Sequence, residues 1–197
     1  KITGAGTAGI VLGGPTQAAC STDLPSAPTP SAMPDRPLGK TGHRPRLFSL
    51  GGQATLEKPG TRDESVAIIN RAIDLGVNYL DTAAAYGQGI SQTYIGEVMA
   101  TRRSEVFLAT KTNNRTRDGS MQLLEQSLNL LKTDRLDLWQ LHNISTVAQL
   151  DQIFAADGAI HALVRAREEG IVRFLGITGH ANPNVLLEGL NRFPFDT

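Results

Sequence analysis

Val77-Asn78-Tyr79-Leu80-Asp81-Thr82-Ala83-Ala84-Ala85-Tyr86-Gly87 decides the reading of the fold. The apolar run Val77 to Leu80 reads as a buried strand, and Asp81 leaves it at its carboxyl end. Tyr86 follows in the loop, so a carboxylate and a phenol stand above one strand end. Outward along the chain the same design repeats. A predicted strand over Glu105 to Thr110 is closed by Lys111, one over Leu136 to Leu141 by His142, and one over Val172 to Ile177 by Thr178.

Helical periodicity fills the intervals. Val66, Ile69 and Ile73 lie at helical spacing in Arg62 to Leu75, which Gly76 stops, and a second helix is expected around Ser91 to Thr101. Met121, Leu124, Leu128 and Leu131 line one face of a third, Ile160, Leu163 and Val164 mark another ended by Gly170, and Pro183 opens the last. Leu38 to Leu47, turning at Lys40-Thr41-Gly42, suggests a hairpin before a first strand at Leu47 to Gly51. Five alternations of near-continuous apolar strands with helices imply a parallel α/β sheet. A doubly wound sheet would need a glycine-rich phosphate loop after its first strand, and the loop after Gly51-Gly52 has none. Polar residues ending several consecutive strands fit a (β/α)8 TIM barrel, which gathers its site from many strand ends. Residues 36–197 fall short of the ~250 of a full barrel, so only about the first five βα units are expected, with Phe195-Asp196-Thr197 beginning a sixth strand and the chain truncated at both ends. Such a piece would carry unpaired strand edges and should be unstable or sticky in isolation.

The 197 residues are 40% hydrophobic, enough for one sizeable core. Nineteen basic residues balance nineteen acidic ones, which leaves no field to draw in nucleic acid or an anionic membrane surface. Residues 1–20 read as an export-signal remnant: Ile2 to Pro15 is small, apolar and glycine-rich, and Ala18-Ala19 before Cys20 is a small-residue cleavage context. Its character is similar to twin-arginine signals, implying an exported, periplasmic protein, with cytoplasmic retention as the alternative. The run is shorter than the ~20 residues of a spanning helix, and Cys20 is either a lipid anchor or a bystander. Gly4-Ala5-Gly6-Thr7-Ala8-Gly9 matches a dinucleotide fingerprint, but no strand precedes it and Gly13-Gly14-Pro15 breaks any helix after it. Residues 21–35, rich in Pro, Ser and Thr, read as a linker, and residues 36–197 as the partial barrel.

Asp81, Tyr86, Lys111 and His142 all fall at the carboxyl ends of strands, on one face of the expected barrel. A phenol ionises near pH 10 in water and donates its proton more readily where a cation stabilises the anion left behind. Lys111 supplies that cation, Asp81 would hold it charged and oriented, and a neutral His142 could donate a hydrogen bond to a carbonyl oxygen. The set suits protonating an oxygen while something else attacks its carbon. No nucleophilic serine or cysteine is indicated, and metal-ligand spacings are not found in the polar set.

With Leu38-Gly39-Lys40-Thr41-Gly42, Asp81-Thr82, Tyr86-Gly87, Ala109-Thr110-Lys111 and Asp137-Leu138-Trp139-Gln140-Leu141-His142, the chain from Arg36 onward resembles an aldo-keto reductase. The resemblance implies an oxidoreductase that reduces an aldehyde or ketone with NADPH, or with NADH, and has Tyr86 as proton donor, Lys111 and Asp81 tuning it and His142 orienting the carbonyl. It further implies a cofactor pocket drawing on Gly52, Asp81, Thr178, Gly179 and His180. Most members carry Ser-Asn after the fifth strand; Gly176-Ile177-Thr178-Gly179-His180 resembles a separate branch, in which Thr178 replaces the serine hydroxyl and His180 would stand in for the missing amide. The alternative is a non-catalytic nicotinamide-nucleotide sensor on the same barrel.

Overall fold

The computed structural model describes residues 33–197, so the expected export signal, the Gly4 to Gly9 motif, Cys20 and nearly all of the linker lie outside the described residues. Five parallel strands lie side by side in chain order: β1 (Leu50–Gly51), β2 (Tyr79–Asp81), β3 (Phe107–Thr112), β4 (Leu136–Leu141) and β5 (Val172–Ile177). The helices are α1 (Arg62–Asp74), α2 (Ile90–Arg102), α3 (Arg117–Leu131), α4 (Val147–Phe154), α5 (Ala159–Glu168) and α6 (Pro183–Arg192). This is the β/α repeat of a partial TIM barrel. β1 and β5 are its edges, and beside β5 the amide of Asp196 donates to the Leu175 carbonyl at 2.8 Å, where a sixth strand is expected.

Strand residues alternate between two environments because successive side chains point to opposite faces. Leu80, Leu108, Trp139, Leu141, Leu175 and Ile177 face the helices and form the main core. Trp139, only 1% exposed, is core as its place in the strand suggests. Phe107, Ala109 and Leu138 cluster on the opposite, inner face with Tyr79, Phe174 and hairpin residue Leu38. Asp81, Lys111, Gln140 and His142 share the parity of that inner face, one or two layers nearer the carboxyl ends.

Three boundaries differ from the sequence expectation, each for a local reason. The first strand is two residues long, because Arg46 and Leu47 pair with Asp35 and Pro34 in the antiparallel hairpin, leaving Leu47 and Phe48 71% and 65% exposed. β2 begins at Tyr79, since the Val77 amide closes the end of α1 on the Ala72 carbonyl and Asn78 bonds the backbone of Arg44 and Arg46. β3 starts and ends two residues later than expected, so Lys111 lies inside it rather than beyond it. Helix α4 was not expected at all; a capping box between Thr146 and Gln149 starts it.

Candidate active site

The loop after β2 places Tyr86 by backbone contacts. The Ala84 amide bonds the Lys111 carbonyl at 3.3 Å and the Tyr86 amide the Ala83 carbonyl at 3.1 Å. Gly87, Gln88 and Gly89 then follow in left-handed conformations. At Gly87 a β-carbon would lie 2.2 Å from the Glu57 carbonyl oxygen, so only glycine lets the loop fold down here.

All four expected catalytic side chains meet. Lys111, 6% exposed, has three ammonium protons and three acceptors: Asp81 Oδ2 at 2.5 Å, the Thr82 carbonyl at 2.9 Å and Tyr86 Oη at 3.2 Å. Tyr86 therefore accepts from the ammonium, and its own hydroxyl proton has no acceptor among the described residues. The His142 ring stands edge-on to the Tyr86 ring, with centroids 5.6 Å apart. Burial first, then the charges of Lys111, Arg115 and His180, pushes the His142 imidazole from its ordinary 6.5 down to about 4. At neutral pH it is an uncharged ring able to donate one hydrogen bond. Burial pushes the Asp81 carboxyl above its ordinary range, against the pull of Lys111 and of Gln140.

Two contributors escaped the sequence reading. Gln140 Nε2 donates to Asp81 Oδ1 at 3.3 Å, holding the carboxylate oxygen that Lys111 leaves free. Its signal was parity, for it precedes His142 by two on one strand. Arg115, in the loop after β3, donates to the His142 carbonyl at 2.8 Å; no sequence pattern marks it.

The expected cofactor residues behave differently from one another. Gly52 is buried, its amide bonded to the Asp81 carbonyl at 2.7 Å, and a β-carbon there would meet Ser91 Oγ at 2.5 Å. The Thr178 hydroxyl donates to the Leu141 carbonyl and accepts from the Asn143 amide, both at 3.0 Å, stapling β4 to β5. Gly179 lies against the β4–α4 loop, where a β-carbon would come within 2.3 Å of the Ile144 carbonyl, so a residue with a side chain does not fit unless this backbone moves. His180 is exposed at the mouth and its charge is felt at His142. Among the described residues no group of His, Cys, Asp and Glu could hold a metal ion, and no helix is long and apolar enough to cross a membrane.

The model of the aldo/keto reductase family matches residues 47–186. The chain belongs to that family. It is 34% identical over 139 residues to the uncharacterized oxidoreductase YqkF of Bacillus subtilis, an alignment covering 64% of this chain and 43% of that protein. It is 31% identical over 156 residues to the L-galactose dehydrogenase of Arabidopsis thaliana, covering 73% of this chain and 48% of the relative. Among solved structures it is similar to the aldo-keto reductase AKR11C1 from Bacillus halodurans in its holo form, at 28% identity and a TM-score of 0.71 over 83% of this chain and 55% of that one. The chain thus spans about half the length of the curated relatives it matches. The matched residues include β2, β3, β4 and β5, the strands at whose carboxyl ends Asp81, Lys111, Gln140 and His142 stand.

Proposed function

We propose that this chain carries the proton-donating part of an NADPH-dependent carbonyl reductase, an oxidoreductase that reduces an aldehyde or ketone to an alcohol. The observation behind this reading is the filled coordination of Lys111, which leaves the Tyr86 hydroxyl proton free to be given away. A carbonyl oxygen between Tyr86 and His142 would accept from both, and as negative charge grows on it Tyr86 transfers its proton. The phenolate left behind would sit 3.2 Å from the ammonium. Asp81 keeps that ammonium aimed, and Gln140 keeps Asp81 aimed.

The donor set fits a nicotinamide group in part. The cofactor, when bound, would supply hydride to the carbonyl carbon. Gly52 and Gly179 would form close-packed walls and Thr178 a braced strand end, while exposed His180 is the side chain able to reach a cofactor amide. NADH would serve the same chemistry.

Tyr86→Phe tests the reading on the full-length protein. Loss of one general acid should lower carbonyl reduction by about 10²- to 10⁴-fold while NADPH binding, followed by fluorescence, stays within twofold. Unchanged turnover in the variant, or a parent protein that binds NADPH yet reduces no carbonyl, would favour the sensor function and sink this one.

A further inference from the structure

Arg115 stands out among the half-buried charges. The half-buried Arg103 is neutralised by Asp137 at 2.8 Å, and Arg102 by Asp74 and Glu105. The partners of Arg115 are instead two backbone carbonyls, those of His142 at 2.8 Å and Asn143 at 3.5 Å. Its Nη1 is enclosed with no acceptor among the described residues, and burial lowers its affinity for its proton. A guanidinium in that setting retains its charge, and no carboxylate among the described residues pairs with it to cancel the field it throws on its neighbour.

That neighbour is the residue argued to orient the substrate carbonyl. Asn143, next after His142, sits in the left-handed region at φ 54°, which asparagine adopts more readily than most residues with a side chain. Its backbone is held on both sides, by the Arg115 guanidinium on its carbonyl and the Thr178 hydroxyl on its amide. The Arg115 loop is itself anchored, its carbonyl accepting from the Ala159 amide at 2.9 Å and Thr116 bridging to Gly158. The guanidinium is thus held by one rigid loop and pins another.

We propose that Arg115 is a positioning residue for His142, tying down the backbone that carries the imidazole and adding its positive field to the ring's surroundings, so that the ring faces the substrate as a hydrogen-bond donor. The substrate-facing part of this role rests on the carbonyl-reductase reading; the effect on the ring does not. The groups facing His142 are Tyr86 from the loop after β2, Lys111 from β3, Arg115 itself and His180 from the loop after β5; Asp81 is engaged by Lys111 and Gln140. Lys111 and Arg115 disfavour a further positive charge on the ring, and of these two Arg115 is the one whose removal leaves the Tyr86–Lys111–Asp81 arrangement intact.

The test is a histidine-ring NMR titration of the full chain, with the His142 signal assigned by its loss in His142→Gln. In Arg115→Gln the His142 midpoint should rise by roughly 0.5–1 pH unit, and in Arg115→Lys, which retains the charge, it should stay near the parental value. In protein that turns over carbonyl substrate, the acid limb of kcat/KM should move up with the midpoint in Arg115→Gln and not in Arg115→Lys. A midpoint unmoved in Arg115→Gln, or moved equally by both variants, overturns the proposal. The titration needs no turnover, so it reads the role of Arg115 even if carbonyl reduction proves wrong.

Discussion

The inner faces of β2, β3, β4 and β5 carry two different chemistries at their two ends. Toward the amino ends, Phe107 stacks on His43 at 4.4 Å, Tyr79 at 5.3 Å and Phe174 at 6.0 Å, with Leu38 of the hairpin against them. Toward the carboxyl ends stand Asp81, Lys111, Gln140 and His142, polar and mutually bonded. Two aspartates at opposite ends of the strands differ in the same sense, Asp137 standing at the amino end on the helix-facing side with Trp139 and Leu141. Burial pushes Asp137 up, but the Leu108 amide and the Arg103 and Arg173 guanidinium groups outweigh it and leave the carboxyl below its ordinary value. For Asp81 burial wins and the carboxyl sits above it. Asp137 is therefore an ionised brace that stabilises the fold, whereas the ionised form of Asp81 is held at a cost. On the proposed function, one end of the barrel is built for stability and the other for reaction.

The largest expected effect on that contrast is at Phe107, 3% exposed at the centre of the aromatic stack. Phe107→Ala should cost about 3–5 kcal/mol in urea unfolding, while chemistry per folded molecule stays within a fewfold. A selective loss of turnover beyond the loss of folded protein would break the division between the ends. Next is Asp137→Asn, which leaves Arg103 and Arg173 short of an anion and should cost about 1–3 kcal/mol at neutral pH. The folded carboxyl titrates below the unfolded value of ~3.9, so the parent's advantage is present above that pH and is lost as pH falls through the folded value. Unfolding midpoints of the two proteins should therefore converge in strong acid; a constant gap would show that packing rather than charge is responsible.

The sequence carried the repeat and the site further than it carried the boundaries, and the reason is parity. β3 lies two residues later than expected, but a slip of two preserves the face on which each side chain sits, so Lys111 still points where the reading placed it. The first strand was overextended because Leu47 and Phe48 are apolar, yet Leu47 is held by the hairpin, a nonlocal pairing that composition does not reveal. α4 was legible in principle from Thr146-Val147-Ala148-Gln149, a capping-box spacing, but only eight residues follow the cap. For the cofactor residues, position in the chain shows only that they stand at the site; in space the Thr178 hydroxyl braces two strands and Gly179 admits the Ile144 carbonyl, contacts that no sequence pattern reveals. Arg115 was invisible because its partners are backbone oxygens, which leave no mark in a sequence.

Gln140 gives the smallest and sharpest test of the contrast, since it is buried like the residues of the aromatic end but bonded like those of the reactive end. The strand beside it leaves it room: a β-carbon at Gly176 would come within 2.9 Å of its Cγ. Gln140→Leu keeps nearly the same volume and removes one neutral-to-charged hydrogen bond from Asp81. If Gln140 belongs with the reactive end, stability should move by less than about 1 kcal/mol, because the lost bond is offset by a better-matched apolar side chain. kcat should fall about 3- to 10-fold with KM nearly unchanged, because an Asp81 free to rotate aims Lys111 less well at Tyr86. The Asp81 carboxyl should also titrate higher, since the amide had favoured its charged form. Carboxyl-carbon NMR would read that shift. A variant that loses stability but keeps kcat and the Asp81 titration would move Gln140 to the structural end and draw the border between the two chemistries one layer higher.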